Sequence, residues 1–386
     1  MALIATGRLP LAIVHCLIVH YIILAMLLVD AHQDLAWNAL TFGRDYSLSA
    51  HATRDAERNT VAPTHNGSSL LGLPDCLRGN IAIIFGALFA APARSKMGEW
   101  DTLTYKDSAQ AHRLYSQQLD YYERLTDTHP QFQLINSRRD LETTLVSWNG
   151  GDPNNRRVGI VRLMEGADCI REPKEAEWWM GRGVRIVGLS WGATRYAGGT
   201  HEPGPLTPDG RALLSEMASL GFILDLSHAS DDSFFEALER FEGSVIASHS
   251  NPRALLKDPP RPERFLSDDM IRALAERSGV IGIVPYNRFL KADWRADADG
   301  KQSITLTHLA AVVDHICQIT GSADHAGIGS DFDGGFGVER VPAEIDTAAD
   351  LGLIGGALKE RGYAESDIEK IMGGNWIRIL RQSLPA

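Results

Sequence analysis

The chain has 386 residues and a formal net charge of −11. Its 44% hydrophobic and 23% charged content is typical of a soluble globular protein that can bury a large core. The acidic balance argues against a nucleic-acid partner, and four scattered cysteines without a Cys-x-x-Cys pair argue against a disulfide scaffold.

The first feature along the chain is an apolar run over residues 9–29, which has the character of a signal peptide or an anchor. Cleavage after Ala31 would delete the strand that must carry His32, so we treat residues 1–22 as an N-terminal extension. Met26 offers an alternative start. The sequence predicts a cytoplasmic protein with no membrane partner, while this run leaves export or anchoring open.

Eight apolar runs have the length of buried strands, and helical spacing of apolar residues separates most of them. This alternation favours a parallel sheet, and eight such units close as a TIM-like (β/α)8 barrel. We predict one catalytic domain over residues 23–386, with a long loop over residues 40–80 after the first strand. The predicted strands are residues 24–30, 81–88, 158–163, 184–189, 222–226, 245–247, 280–284 and 326–329. The predicted helices are residues 109–125, 211–220, 233–238, 269–276 and 306–319.

Metal-ligand residues follow the ends of several predicted strands. His32 and Asp34 end the first run, Glu165 ends the third, and His228 and His249 each follow a serine at the ends of two consecutive runs. Because the carboxyl ends of barrel strands meet at one rim, we expect these side chains to converge there. Such a set of histidines and carboxylates favours a hydrolytic metal centre.

Several of these residues also have structural alternatives. A strand-ending histidine such as His32 can hydrogen-bond a loop, and Glu165 can form a salt bridge with Arg162. Asp331 ends the last strand and is predicted to handle a proton beside a metal-bound water, with a ligand or helix-capping role as the alternative. Asp333 could face the same rim by strand alternation.

Short motifs from residue 27 to residue 380 carry a family resemblance. They are Asp30-Ala31-His32-Gln33-Asp34, Glu165-Gly166, Leu220-Gly221-Phe222-Ile223-Leu224-Asp225-Leu226-Ser227-His228, Ala247-Ser248-His249-Ser250, Gly327-Ile328-Gly329-Ser330-Asp331-Phe332-Asp333-Gly334 and Gly373-Gly374-Asn375-Trp376. Together they make the chain resemble the membrane dipeptidase (renal dipeptidase) family of binuclear zinc peptidases, in its bacterial form. The family lies within the metal-dependent amidohydrolase barrels.

The resemblance implies two divalent metal ions, with zinc as the expected metal. One ion would be held by His32, Asp34 and Glu165, and the second by Glu165, His228 and His249. A hydroxide bridging the two ions would then attack the peptide bond of a dipeptide. By the same resemblance, Asp331 would take the proton of that hydroxide.

The resemblance also implies two substrate-binding residues. Arg264 falls where the family keeps an arginine for the terminal carboxylate of the substrate, and Arg261 in the same segment is the alternative. Trp191 stands where animal members carry a histidine thought to contact the scissile carbonyl. This departure predicts that substrate preference differs from that of the animal enzymes.

The expected partner is therefore a small-molecule dipeptide, with a homodimer as one option for the oligomeric state. A rival activity on the same barrel is that of an N-acyl amino acid deacylase or a lactonase, which would keep the metal ligands but would not need Arg264. A non-catalytic binding protein on the same scaffold is the other rival. The side-chain preference and the tolerance for D-residues are not set by the sequence.

Overall fold

The computed structural model describes residues 26–149 and 152–386, in which eight parallel strands close into a barrel. The predicted N-terminal extension, residues 1–22, lies outside the described residues, as do the first two residues of the predicted first strand. The strands are β1 (Leu28–Gln33), β2 (Ile81–Phe89), β3 (Ala91–Pro92), β4 (Thr104–Tyr105), β5 (Phe132–Leu134), β6 (Val158–Glu165), β7 (Val184–Gly188), β8 (Ile223–Asp225), β9 (Val245–Ala247), β10 (Val280–Ile283) and β11 (Ala326–Ile328).

The barrel order is β1, β2, β6, β7, β8, β9, β10 and β11, and every neighbouring pair is parallel. The barrel closes where Asp30 of β1 pairs with Ile328 of β11. β5 pairs with the first half of β6, and β3 and β4 form a separate two-stranded sheet. The predicted (β/α)8 barrel is confirmed, and each predicted strand overlaps a strand of the barrel.

The barrel strands form because their sequences are continuous aliphatic runs that are buried on both faces. All eight residues of β6 are buried, including Arg162 and the terminal Glu165. The parallel arrangement directs the carboxyl end of every strand to the same rim. Polar residues at these ends are therefore brought together, although the strands are separated by long stretches of sequence.

Helices surround the barrel and pack their apolar faces against the strands. The α-helices are α1 (Leu35–Phe42), α2 (Ala50–Glu57), α3 (Ala62–Asn66), α4 (Leu73–Arg78), α5 (Ser108–Thr128), α6 (Arg138–Ser147), α7 (Ala176–Gly181), α8 (Pro208–Leu220), α9 (Asp231–Arg240), α10 (Asp268–Glu276), α11 (Asn287–Leu290), α12 (Leu306–Thr320), α13 (Leu353–Glu360), α14 (Glu365–Glu369) and α15 (Asn375–Ser383). Short 3₁₀ turns and one π-helical turn, Lys370–Gly374, complete the described elements.

The loop predicted over residues 40–80 is wrong, because this segment contains the end of α1 and the helices α2, α3 and α4. Ser49 caps α2 by accepting a hydrogen bond from the Ala52 N–H group. Pro63 and Pro74 lie in the first turns of α3 and α4, where proline is tolerated. The polar composition of the segment concealed these short helices.

Among residues 26–149 and 152–386, no helix combines the length and the apolar character needed to cross a bilayer. The three cysteines in this part of the chain, Cys76, Cys169 and Cys317, are free thiols.

Candidate metal centre

The five predicted ligand residues lie together at the carboxyl rim of the barrel. His32 is the penultimate residue of β1, and Glu165 is the last residue of β6. His228 and His249 follow the ends of the adjacent strands β8 and β9. Asp34 precedes α1 without capping it through its side chain, so its carboxylate remains available to the cluster.

Glu165 lies between two groups of side chains, and each of its carboxylate oxygens faces a different group. Oε1 lies 3.0 Å from Nε2 of His228 and 3.5 Å from Nε2 of His249. Oε2 lies 3.8 Å from Nε2 of His32, which is itself 3.5 Å from Oδ2 of Asp34. Two of the possible three-residue ligand sets share this carboxylate, as expected of a pair of bridged metal ions, and His32, His249 and Asp331 form a third possible set.

Hydroxyl groups set the tautomers of two of the histidines. The Thr200 hydroxyl lies 2.9 Å from Nδ1 of His228 and 3.5 Å from the backbone oxygen of that residue, so it can donate to this oxygen and accept from an Nδ1–H group. The Ser248 hydroxyl lies 2.8 Å from Nδ1 of His249 and donates to Asp225 at 2.5 Å, so it also accepts from Nδ1–H. Both Nε2 atoms are therefore left with a lone pair, as a metal ligand requires.

The spacing of these atoms fits a cation. The Nε2 atoms of His228 and His249 lie 3.0 Å apart, and both approach Oε1 of Glu165. Ligand atoms of a tetrahedral zinc ion are about 3.3 Å apart, given bonds of about 2.0–2.1 Å. In addition, both ring nitrogens of the buried His32 lack a hydrogen-bond partner. Buried polar atoms without partners are costly, and a metal ion would satisfy them.

The pKa shifts show that the carboxylates of the cluster favour a positive charge beside them. Burial raises the pKa of the Glu165 carboxyl, and the neighbouring Asp34 and Asp331 add to this effect. Burial opposes protonation of His32, but Asp34, Glu165 and Asp331 outweigh it and raise the pKa of its imidazole to about 10. Burial lowers the pKa of His228 well below its ordinary value, and Arg264 lowers it further. The carboxylates thus favour a bound cation, and His228 stays neutral and able to coordinate one.

Asp331 lies at the edge of the cluster. Its Oδ1 atom is 4.0 Å from Nε2 of His32, and its Oδ2 atom is 3.7 Å from Nη2 of Arg264. Burial raises the pKa of its carboxyl group, although His32 and Arg264 oppose the shift. The carboxyl group can therefore hold a proton at a higher pH than an exposed aspartate can.

Arg264 is buried beside Asp331. Its Nη1 atom donates to the backbone oxygen of His249 at 2.8 Å, and its guanidinium group lies 4.9 Å from the ring centre of Phe289. Its Nη2 atom is buried and makes no hydrogen bond. Arg261, the alternative from the sequence, is exposed and precedes the same 3₁₀ turn, Pro262–Arg264. Both arginines line one cavity, but only Arg264 reaches the cluster.

That cavity, of about 470 Å³, opens onto the cluster. Trp191 lines it, with its ring centre 5.2 Å from that of Phe89 and 4.5 Å from that of His201. The other aromatic side chains of the wall are Trp37, Phe265, Tyr286, Phe289 and Phe336. A partly open cavity with many aromatic side chains in its wall and a few charged groups at its base is typical of a small-molecule site.

The structure decides two of the alternatives left by the sequence. Arg162 does not pair with Glu165, because its guanidinium group donates to Asn136 at 2.6 Å. The carboxylate of Asp333 does not face the metal-ligand cluster, because it lies 2.9 Å from Nη1 of Arg44 and accepts a hydrogen bond from Tyr46. Strand alternation fails at this point because the backbones of Asp331 and Asp333 have positive φ angles, of 58° and 62°.

Sequence reasoning missed the residues that orient the candidate ligands, namely Thr200, Ser248 and Asp225. It also gave His201 no role, although this residue lines the cavity. Asp225 carried a usable signal, since a carboxylate inside an aliphatic strand needs hydrogen-bond partners. Thr200 carried no such signal, because its contact partner, His228, lies 28 positions further along the chain, beyond a helix and a strand.

Comparison with known proteins links this geometry to a family. A family model described as membrane dipeptidase (Peptidase family M19) matches residues 18–384. An uncharacterized protein in the pqqA 5′ region of Klebsiella pneumoniae is 31% identical over 58% of this chain and 82% of its own length. Dipeptidase tcpJ of Claviceps purpurea is 32% identical over 46% of this chain and 38% of its own length.

A solved structure extends the likeness to the fold. The metallopeptidase from Rhodobacter sphaeroides, bound to a phosphinate mimic of the dipeptide L-Ala-D-Ala, aligns with a TM-score of 0.74. The two sequences are 22% identical, and the alignment covers 93% of this chain and 99% of that one. The barrel is thus shared over nearly the whole described chain.

Proposed function

The chain belongs to the membrane dipeptidase family, peptidase family M19, and is a metal-dependent dipeptidase; we propose that the cluster around Glu165 is its active centre and holds two zinc ions. The observation that carries the proposal is the position of Glu165, whose two carboxylate oxygens face separate sets of potential ligands. Imidazole and carboxylate donors without thiolates are typical of catalytic zinc sites.

Each ion has three proposed protein ligands. His32 and Asp34 would hold one ion, His228 and His249 would hold the other, and Glu165 would be shared by both. When bound, two divalent ions polarise the scissile carbonyl group and lower the pKa of the attacking water, which is the chemistry that peptide hydrolysis needs. The Nδ1 hydrogen bonds of the last two histidines keep their Nε2 atoms free of protons for this task.

Arg264 is the proposed anchor for the substrate. Its buried Nη2 atom makes no hydrogen bond, although it lies 3.7 Å from Asp331, and Arg264 borders the cavity, so a carboxylate there would form a charge-assisted hydrogen bond. Its Nη1 atom is already fixed by the backbone oxygen of His249. The guanidinium group is therefore held in place before the substrate arrives, which supports a requirement for a free terminal carboxylate.

Asp331 is the proposed general base and acid. It would accept a proton from the attacking water at a carboxylate oxygen and then donate that proton to the nitrogen of the leaving amine. Burial raises the pKa of its carboxyl group, which favours holding the proton between these two steps. Trp191 and the other aromatic side chains that line the cavity would limit the access of bulk water to the reacting groups.

A substrate panel with the zinc-loaded protein tests this function. We expect hydrolysis of L-alanyl-L-alanine and L-alanyl-D-alanine. We expect much slower hydrolysis of N-acetylalanine and of a simple lactone. Preferred cleavage of the acyl amino acid or of the lactone would contradict the assigned substrate class.

A further inference from the structure

We propose that Arg261 and Arg288 form a second anion subsite at the mouth of the cavity, which selects dipeptides with an acidic side chain in their C-terminal residue. The inference rests on the proposed function, because it extends the substrate site anchored by Arg264. The subsite specifies the chemical class of one side chain of the substrate. The metal ligands do not specify that side chain.

Arg261 is placed by the same turn as Arg264. The Arg264 N–H group donates to the Arg261 backbone oxygen at 3.1 Å, which forms a 3₁₀ turn. Side chains three residues apart eclipse one another in 3₁₀ geometry, so both guanidinium groups can be directed to one side. Arg264 is buried at the base of the cavity, and Arg261 is exposed at its edge. Pro260 and Pro262 flank Arg261 and restrict the backbone that presents it.

Arg288 comes from a second element. It belongs to the short helix α11 and precedes Phe289, whose ring lies under the Arg264 guanidinium group. Arg288 is exposed and also lines the cavity. Two separate segments therefore each place an exposed arginine at the mouth of the same cavity.

The charges around the mouth leave these two arginines available. No carboxylate in the described parts of the chain lies within ion-pair distance of either side chain. The carboxylates that line the cavity are Asp34, Glu165 and Asp331, and all three belong to the metal cluster. In a protein with a net charge of −11, a mouth with two unpaired arginines would attract an anionic group by a local field.

The position of Arg261 determines which residue of the substrate the second anion subsite would recognise. If Arg264 holds the main-chain carboxylate, the C-terminal residue lies against the turn that also carries Arg261. The side chain of that same residue is then the closest substrate group to the second anion subsite. We therefore assign the acidic group to the C-terminal residue of the dipeptide.

The test compares kcat/KM for alanyl-aspartate, alanyl-asparagine and aspartyl-alanine. Asparagine keeps the shape of aspartate and removes its charge, so the ratio of alanyl-aspartate to alanyl-asparagine isolates the subsite. We expect a ratio of roughly 5 to 50 in the zinc-loaded protein, given two charge-assisted but solvent-screened contacts. Arg261→Gln and Arg288→Gln should each lower this ratio, and added salt should lower it as well.

Arg139→Gln is the matched control. Arg139 is exposed on α6, outside the cavity, so its substitution removes the same charge from the protein without touching the subsite. We expect this variant to keep the ratio of the unmodified protein. If the ratio falls equally in the Arg139→Gln control, the preference for alanyl-aspartate depends only on the net charge of the protein. That result would overturn the subsite.

The outcomes separate the subsite from the proposed function. Equal cleavage of alanyl-aspartate and alanyl-asparagine would overturn the subsite and leave the dipeptidase function intact, and preference for aspartyl-alanine would overturn the assignment to the C-terminal residue. If no dipeptide is cleaved, the proposed function fails. The dissociation constants of the same peptides, measured by calorimetry, then test the subsite. Tighter binding of alanyl-aspartate than of alanyl-asparagine supports the subsite, and equal binding contradicts it.

Discussion

The Nε2 atoms of His228 and His249 lie 3.0 Å apart, and neither carries a proton in the tautomers that the Thr200 and Ser248 hydroxyls favour. Both atoms also approach Oε1 of Glu165, so three lone-pair donors point toward one small volume. Such an arrangement is repulsive without a cation between the donors. It is the strongest structural sign that the rim of this barrel is built for a metal ion.

The Thr200 hydroxyl should contribute to metal affinity through His228. Replacing Thr200 by valine removes the group that accepts from Nδ1–H, and loss of such a hydrogen bond typically weakens metal binding by roughly 10- to 100-fold. Competition with a chromophoric chelator measures this affinity directly. Thr200→Ser keeps the hydroxyl and should bind metal nearly as tightly as the unmodified protein. Equal affinities for the valine and serine variants would show that the hydrogen bond has no such role.

Asp331→Asn should separate proton transfer from metal binding. The substitution removes the proposed acid–base group and keeps the size of the side chain, so turnover should fall by ~10²–10⁴-fold. The metal content, measured by elemental analysis, should stay unchanged. Loss of one metal ion in this variant would instead make Asp331 a ligand, which is the alternative that its distance of 4.0 Å from His32 leaves open.

Arg264 should make cleavage depend on the free carboxylate of the dipeptide. An amidated dipeptide deprives the buried guanidinium group of the substrate carboxylate, and truncating one partner of such a pair costs about 2–5 kcal/mol. Free dipeptides should therefore be cleaved far better than their amides, as kcat/KM will show. Arg264→Ala should erase most of that preference, and Arg264→Lys should restore it only in part, because an ammonium group cannot form a bidentate contact. A preference that survives Arg264→Ala would point to Arg261 instead.

The buried pair of Arg44 and Asp333 should stabilise the fold beside the site. Arg44 donates to Glu57 at 2.8 Å, and its Nη1 atom lies 2.9 Å from the fully buried Asp333. Arg44→Met leaves both carboxylates without a counter-charge, and breaking such a pair costs about 3–5 kcal/mol. Urea denaturation measures the loss in free energy of unfolding.

A surface arginine provides the control for this stability measurement. Arg58 pairs with Asp55, and both side chains are 73% exposed. Arg58→Met should change the free energy of unfolding by no more than about 0.5 kcal/mol. If the Arg44 and Arg58 variants are equally stable, the buried pair has no special contribution.

The barrel was predictable because its strands are buried on both faces and read as aliphatic runs. The end of β1 was harder to predict from the sequence. We predicted a strand over residues 24–30, whereas β1 extends to Gln33 and includes His32. Asp30 resembles a strand end in the sequence, but its carboxylate accepts from the Ser330 N–H and hydroxyl groups at 2.7 and 2.6 Å. A partner 300 residues away cannot be read from local sequence.

The candidate site was predictable to the extent that its residues follow strand ends. Glu165 and His249 fall there, and the parallel barrel brings them together without further information. The different depths of Arg261 and Arg264 could not be predicted, because a proline-rich loop gives no periodicity from which to infer side-chain direction. The direction of Asp333 was missed for a similar reason, since its positive φ angle breaks the alternation of a strand.

The metal stoichiometry of the protein tests the central claim most directly. Metal-free protein should be reloaded with excess zinc, desalted and measured by elemental analysis against protein concentration. We predict close to two zinc ions per chain, and close to one in the His228→Ala variant, which keeps His32, Asp34 and Glu165. One ion or fewer in the unmodified protein would contradict a pair of metal ions bridged by Glu165.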